Sequence, residues 1–312
     1  MKMKYQVSAA VAVLVLGMAS FASATPLVLT GNYIKVGISD RGTLGSNGAT
    51  SPGLLHDPTG TGTFGINDYI TPGTPHEGFS VHSNELGFRQ NDNKGISTFG
   101  FTSPTLLTGV AKMGFANAAT WSGSTGGLNI TNSYFFNAGD QRINVITTLT
   151  AVTDQTSLAF ARSVDPDPDV NTFGSFSTNN QRGNFFFGAS DFIGAAGPHT
   201  GLTLALLNLN GNALTHNTQI NGSCCNNIDP YNVLTGGVFS SVGDHGLNMA
   251  WMVGNLAAGK STTIKYAYLV GDKIETIGHG VPEPATWAML VMGFGGVGAL
   301  VRNRRRMAVS AA

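Results

Sequence analysis

The sequence predicts an all-β fold, an antiparallel β-sandwich ectodomain over residues 25–281, and three observations carry that expectation. Apolar residues recur with a period of two in one segment after another. No stretch of this span sustains a 3.6-residue apolar repeat over a dozen positions. Between the alternating segments lie Gly, Asn, Asp and Pro clusters, such as Gly45-Ser46-Asn47-Gly48 and Ala138-Gly139-Asp140, which are turn chemistry.

The clearest strands are Gln141 to Val152 and Thr262 to Val270. The first sets Ile143, Val145, Thr147 and Leu149 against Asn144, Thr148 and Thr150; the second sets Ile264, Tyr266, Tyr268 and Val270 against Thr263 and Lys265. The run Leu202, Leu204, Leu206, then Leu207 and Leu209, changes face at the paired leucines and predicts a β-bulge. Further strands are expected at 33–39, 96–101, 108–117, 128–137, 157–162, 184–188, 233–242 and 247–254. Roughly 250 residues exceed one immunoglobulin-sized unit, so a large two-sheet sandwich is the architecture expected.

The two ends have a different chemistry. Residues 1–24 begin with Lys2 and Lys4, run through Val11-Ala12-Val13-Leu14-Val15-Leu16 and close on Ala22-Ser23-Ala24. That is the pattern of a secretory signal peptide cut between Ala24 and Thr25, with export through the Sec translocon. At the other end, residues 285–301 carry no charge and would rise about 25 Å as a helix, enough to span a thin bilayer. Arg302, Arg304, Arg305 and Arg306 then place the C-terminus in the cytoplasm, with Trp287 at the outer interface. A single C-terminal transmembrane helix anchored in the inner membrane is the expectation.

Pro282-Glu283-Pro284, Trp287-Ala288-Met289, the Gly-rich apolar span and the terminal arginines together resemble the PEP-CTERM sorting signal of Gram-negative bacteria. The resemblance covers about the last thirty residues. It implies that residues 282–312 are a temporary inner-membrane anchor, recognised at Pro282, Glu283 and Pro284 by an exosortase, a membrane-embedded cysteine transpeptidase. It also implies a destination at the cell surface or in an extracellular matrix, beside exopolysaccharide and biofilm components. It implies a location, not an activity.

Charge narrows the partners. The chain has 17 basic and 17 acidic residues, but residues 25–281 keep only 11 basic against 16 acidic, a formal charge of −5. An acidic, Asn/Thr/Ser/Gly-rich surface suits neutral or cation-bridged polysaccharide and argues against nucleic acid and anionic lipid as partners.

Two acidic features could carry chemistry. Asp165-Pro166-Asp167-Pro168-Asp169 offers oxygens at i, i+2 and i+4, the spacing of a calcium loop. The EF-hand glycine position holds Val170 and the bidentate glutamate position holds Phe176, so a rigid solvated turn is the competing reading. The second feature lies in the irregular stretch Ser51 to His82 and just beyond it. His76 and Glu77, beside Tyr69 and Phe79, are glycan-binding candidates, with His82 and Glu85 nearby. Gly60 to Gly65 forms a G-x-G-x-x-G without a helix start after it, and neither H-E-x-x-H nor G-x-S-x-G occurs.

The two cysteines are neighbours, Cys224-Cys225, so a vicinal disulfide, intermolecular bonds and free thiols all stand open. The sequence therefore favours a non-enzymatic structural or glycan-binding component of the exopolysaccharide layer. The alternative is a secreted carbohydrate-active enzyme, since some large sandwiches resembling the galactose-mutarotase fold host such activities. Convergence of the Ser51–Glu85 and Asp165–Asp169 regions over one concave face would favour the enzyme.

Overall fold

A computed structural model describes residues 26–45, 51–71, 76–100 and 102–278. The expected cleavage site at Ala22, Ala24 and Thr25, the Pro282-Glu283-Pro284 motif, the helix over 285–301 and the terminal arginines lie outside those residues. Among the described residues no helix is long and apolar enough to cross a membrane.

The described chain is antiparallel β throughout. Its strands are β1 (Leu27–Thr30), β2 (Ile34–Ile38), β3 (Leu54–His56), β4 (His76–Ser83), β5 (Gly87–Asp92), β6 (Thr105–Leu106), β7 (Asn117–Ser124), β8 (Leu128–Phe136) and β9 (Arg142–Ala151). They continue with β10 (Gln155–Asp165), β11 (Thr178–Arg182), β12 (Phe192–Ala196), β13 (Thr203–Asn208), β14 (Thr215–Asn221), β15 (Ser240–Gly243), β16 (Gly246–Leu256) and β17 (Ser261–Gly271). Two one-turn helices, α1 (Val170–Phe173) and α2 (Pro230–Leu234), interrupt the series.

Two large sheets form the sandwich: five strands in the order β14-β16-β10-β4-β5, and nine in the order β15-β11-β12-β13-β17-β9-β8-β7-β6. A small sheet, β1-β2-β3, completes the fold. The principal core lies between the large sheets. Phe79, Val81, Phe160, Met249 and Trp251 come from the five-stranded sheet, and Ile143, Val145, Leu204, Tyr266 and Tyr268 from the nine-stranded one. Each is at most 1% exposed, and period-two alternation along the strands is what puts them on one face.

The paired leucines of β13 make no bulge. Thr203 to Asn208 pair in unbroken register with β12 on one side and β17 on the other. The alternation breaks because both faces are buried: Leu204 and Leu206 enter the main core, while Ala205 and Leu207 join an outer cluster with Phe192, Leu269, Ile274 and Ile277. The register shift occurs instead in β10, between Gln155 and Ala159.

Four expected strands are largely replaced. Residues 96–101 contribute an isolated bridge from Ser97 to Asn91. Residues 108–117 contain a 3-10 turn at Gly109–Lys112, because Gly109, Met113 and Gly114 all take positive φ and turn the chain out of extension. Residues 184–188 form a turn rather than a strand, and α2 takes Val233 and Leu234 before β15 begins at Ser240.

Candidate functional site

Alternation along β4 and β10 separates two chemistries. Glu77, Phe79 and Val81 point into the core, as do Arg162 and Val164, whereas His76, Gly78, Ser80 and His82 occupy the opposite face with Ser163 and Asp165. Asp165 stands directly across the β4–β10 ladder from His76, so the two acidic regions picked out in the sequence do converge.

A segment running from Asn221 into α2 covers that outer face. Ser80 donates to the Ile228 carbonyl (2.7 Å), His82 Nδ1 lies 2.6 Å from Asp229 Oδ2, and Asn227 Nδ2 donates to the Asn91 carbonyl (3.0 Å). Glycine at position 78 makes the approach possible: a Cβ there would lie 2.5 Å from Asn227 Oδ1 and 2.6 Å from the Asn91 carbonyl oxygen. Within this segment Cys224 and Cys225 form a vicinal disulfide, and Cys225 takes a positive φ of 75°. Lys94 Nζ donates to the Cys225 carbonyl oxygen (3.3 Å).

Beside the disulfide, Asp165, Asp167 and Asp244 bring one carboxylate oxygen each to within 4.8 Å of one another. Asp165 and Asp167 are both 2% exposed, and the cluster meets solvent through Asp244. Asp167 Oδ1 is buried without a hydrogen-bond partner. Burial, with the neighbouring Asp244 charge, pushes the Asp165 carboxyl up to about 7 against the pull of Lys94. Burial, with Asp165 and Asp244, pushes Asp167 up to about 9. Cys225 Sγ lies 3.3 Å from Asp165 Oδ2. A disulfide sulfur has no proton to give, so that contact is favourable when Asp165 carries one.

Asp169, the third residue of the expected calcium set, faces elsewhere. Its carboxylate accepts from the His199 amide (2.7 Å) and from Thr200 Oγ1 (2.5 Å), and it packs against Gly197. Asp244, some 80 residues away in sequence, takes the third corner, because β16 begins beside the end of β10.

The glycan-binding candidates are interior residues. Tyr69, Glu77 and Phe79 are 0% exposed and His76 is 1% exposed. Tyr69 OH lies 2.7 Å from His56 Nδ1, and burial lowers His76 to about 4. Phe79 packs among Phe99, Trp121 and Phe160. Glu77 accepts from Arg162 Nε (2.5 Å) and Nη2 (2.9 Å), from the Leu44 amide (2.6 Å) and from Tyr268 OH. The stretch expected to be irregular delivers β4 into the sheet instead, so these four side chains do not face a polymer.

A different surface has recognition chemistry. On the outer face of the nine-stranded sheet a groove of about 480 Å³ is lined by Phe115, Phe135, Arg142, Asn144, Ile146 and Lys265, among others. Phe115 and Phe135 form a tilted pair with ring centroids 5.6 Å apart. Asn144 and Lys265 lie on the polar faces that alternation sets opposite the core. The signal that could have found the groove is Phe135-Phe136, where an aromatic occupies the strand face opposite the core.

Residues 280–306 match the family model of the PEP-CTERM protein-sorting motif. No curated protein matches the chain. Among solved structures the fold is similar to a bacterial glucoamylase determined with acarbose, with a TM-score of 0.51 and 14% identity over 87% of this chain and 35% of that one. Also similar are the heparan sulfate lyase HepC of Pedobacter heparinus (TM-score 0.38, 11% identity, 81% of this chain, 37% of that one) and a GalM/aldose epimerase homologue from C. elegans (TM-score 0.43, 10% identity, 81% and 100%). The chain thus spans little more than a third of the length of the first two, and the likeness to the glucoamylase is one of fold.

Proposed function

For a PEP-CTERM protein, exported with a C-terminal sorting signal that an exosortase processes, we propose a role as a non-enzymatic, glycan-binding component of the exopolysaccharide layer outside a Gram-negative cell. The domain plan that goes with this reading is a signal peptide over 1–24, the sandwich over 25–281 and the sorting signal over 282–312. The anchor over 285–301 holds the protein in the inner membrane until processing releases it to the cell surface or matrix.

The observation that carries the binding role is the groove on the nine-stranded sheet. Sugar rings offer an apolar C–H face and a rim of hydroxyls. Phe115 supplies an apolar surface for the first, and Arg142, Asn144 and Lys265 supply donors for the second. The two cations also suit a carboxylated or otherwise anionic polysaccharide.

An enzyme is the second reading, favoured by two observations: the regions around Glu77 and Asp165 converge across the β4–β10 ladder, and Asp165 and Asp167 hold protons near and above neutrality and face the same site. Their 2% exposure weighs against it, since a carboxyl that must act on a sugar has to touch it. Carboxylates so nearly closed to solvent suit an ion better than a sugar. Three hard oxygens, one of them the unpartnered Asp167 Oδ1, are a donor set for calcium, which would stand in place of the protons and tie β10 to the start of β16.

The test is equilibrium binding of the purified protein to the exopolysaccharide of its own host, with and without a calcium chelator. Saturable binding weakened by chelation is the expected result. Absence of binding in both conditions would overturn the role and turn attention to glycan turnover.

A further inference from the structure

The described chain ends on the same surface that presents its most exposed aromatic side chain. After β17 the chain folds back as residues 273–278 over the outer face of the nine-stranded sheet, where Ile274 and Ile277 pack against Phe192, Leu207 and Leu269. The turn at 184–187 pins this exit. Asn184 Nδ2 donates to the carbonyls of Ile274 (3.3 Å) and Ile277 (3.0 Å), and the Phe185 amide donates to the Glu275 carbonyl (3.3 Å). Gly278, at a φ of 85°, lies so close to Phe187 that a Cβ would come within 2.9 Å of the ring.

The turn is built, not loose. Asn184 Oδ1 accepts from the amides of Phe186 (2.9 Å) and Phe187 (3.0 Å), and the Asn184 amide donates to the Phe187 carbonyl (2.9 Å). Phe187 turns inward and stacks on Phe192, with centroids 6.1 Å apart and planes 12° apart. Phe185 and Phe186 turn outward, 84% and 41% exposed. At the neighbouring end of β11 the Arg182 amide donates to the carbonyl of Phe239, itself 60% exposed. Phe185 is more exposed than the other outward rings, Phe239 (60%) and Phe173 (52%), and an adjacent outward pair held on a rigid turn marks a contact surface.

The sequence says what lies next to that surface. Seven Cα steps separate Gly278 from Ala285, where the uncharged run to Val301 begins, and at full extension they reach about 25 Å. Pro282 and Pro284 bias the connection toward extended backbone. A bilayer holding residues 285–301 therefore lies within reach of the turn. Because the contact is tethered, a weak affinity of the turn for lipid is enough, and the high local concentration at the surface offsets the repulsion between the acidic ectodomain and anionic headgroups.

From the turn's hydrogen bonds to the exit strand and the apolar sequence that follows, we infer that Phe185 and Phe186 are an interfacial footing. They insert into the lipid–water interface of the membrane that holds the C-terminal segment, set the sandwich against the bilayer and cover the 279–284 connection until processing. This rests on the reading of 285–301 as a membrane anchor. It gives the Asn184–Phe187 turn a role during sorting, distinct from glycan binding after release.

The experiment uses the full chain in phosphatidylethanolamine/phosphatidylglycerol vesicles containing no other protein. Flotation reports on the anchor by itself: a chain that stays out of the vesicle band overturns the anchor reading and this inference with it. In chains that float, Phe185→Trp adds an emission that is read against the wild type. Quenching of that added emission by lipids brominated near the headgroup, at least twice that by lipids brominated at the chain ends, is expected. Added emission that remains water-like and unquenched overturns the footing while leaving the anchor standing. Phe185→Ser/Phe186→Ser, whose unchanged thermal midpoint shows that it folds, should make the 279–284 connection about fivefold more sensitive to protease in vesicles; equal cleavage rates overturn the inference.

Discussion

Arg162 on β10 and Glu77 on β4 meet as a two-pronged ion pair sealed between the sheets, Nε to Oε1 at 2.5 Å and Nη2 to Oε2 at 2.9 Å, with both side chains 0% exposed. Tyr268 OH donates to the same carboxylate and also receives Arg162 Nε, so the two sheets are joined by a polar network inside an apolar core. Truncating one partner leaves the other charge buried and unpaired. Arg162→Ala or Glu77→Ala should each cost about 3–5 kcal/mol in urea unfolding. The double substitution Arg162→Met/Glu77→Leu should recover most of that loss, because no charge is then stranded. Single and double variants equally destabilised would show that the network holds the fold in some other way.

The acidic cluster sets the direction of the pH dependence. Asp165 and Asp167, held up to about 7 and about 9, bind protons in the folded chain that the unfolded chain releases near pH 4. Stability therefore falls as pH rises through that interval. His56 and His76, lowered by burial to about 4, act oppositely between about 4 and 6.5, where the unfolded chain takes up protons and the folded chain does not. The two effects offset below pH 6.5, and only the aspartates act above it. In chelator the urea midpoint should decline from pH 6.5 to 9, Asp167→Asn should flatten the decline, and calcium should raise the thermal midpoint most at the alkaline end. A midpoint that rises with pH over this range would contradict the assignment.

How much of this was legible in the residues depends on the range over which each signal acts. Alternation is local, so β9, β16 and β17 were expected close to where they lie, and the core residues Ile143, Val145, Tyr266 and Tyr268 with them. The same rule misread β13, because a strand covered on both faces has no polar alternation to show. It also misplaced residues 108–117, where positive φ at Met113 depends on the turn and not on residue type. The site was harder to see. Asp165 and Asp167 were visible as a spacing, but Asp244 reaches them only through strand pairing, and no sequence signal connects it to Asp165. The Gly/Pro-rich flank of His76 and Glu77 reads as irregular chain. Their burial is decided by pairing with β10, and the complementary charge on Arg162 lies 85 residues away.

The groove on the nine-stranded sheet makes the binding role open to a surface test. Arg142 and Lys265 lie on strands β9 and β17 with their neighbours Ile143 and Ile264 in the core, so their own side chains can be shortened without opening a cavity. Arg142→Ala and Lys265→Ala should leave the thermal midpoint within about 2 °C of the wild type, the scale expected for surface changes. Each should weaken binding to an anionic exopolysaccharide about three- to tenfold, and raising the salt should shrink the difference, more so for the exposed Lys265 than for the half-buried Arg142. Phe115→Ala should weaken binding to neutral and anionic polymers alike, since it removes the apolar platform and no charge. Affinities unchanged in all three variants, measured by titration at low and high salt, would place the binding surface elsewhere on the sandwich.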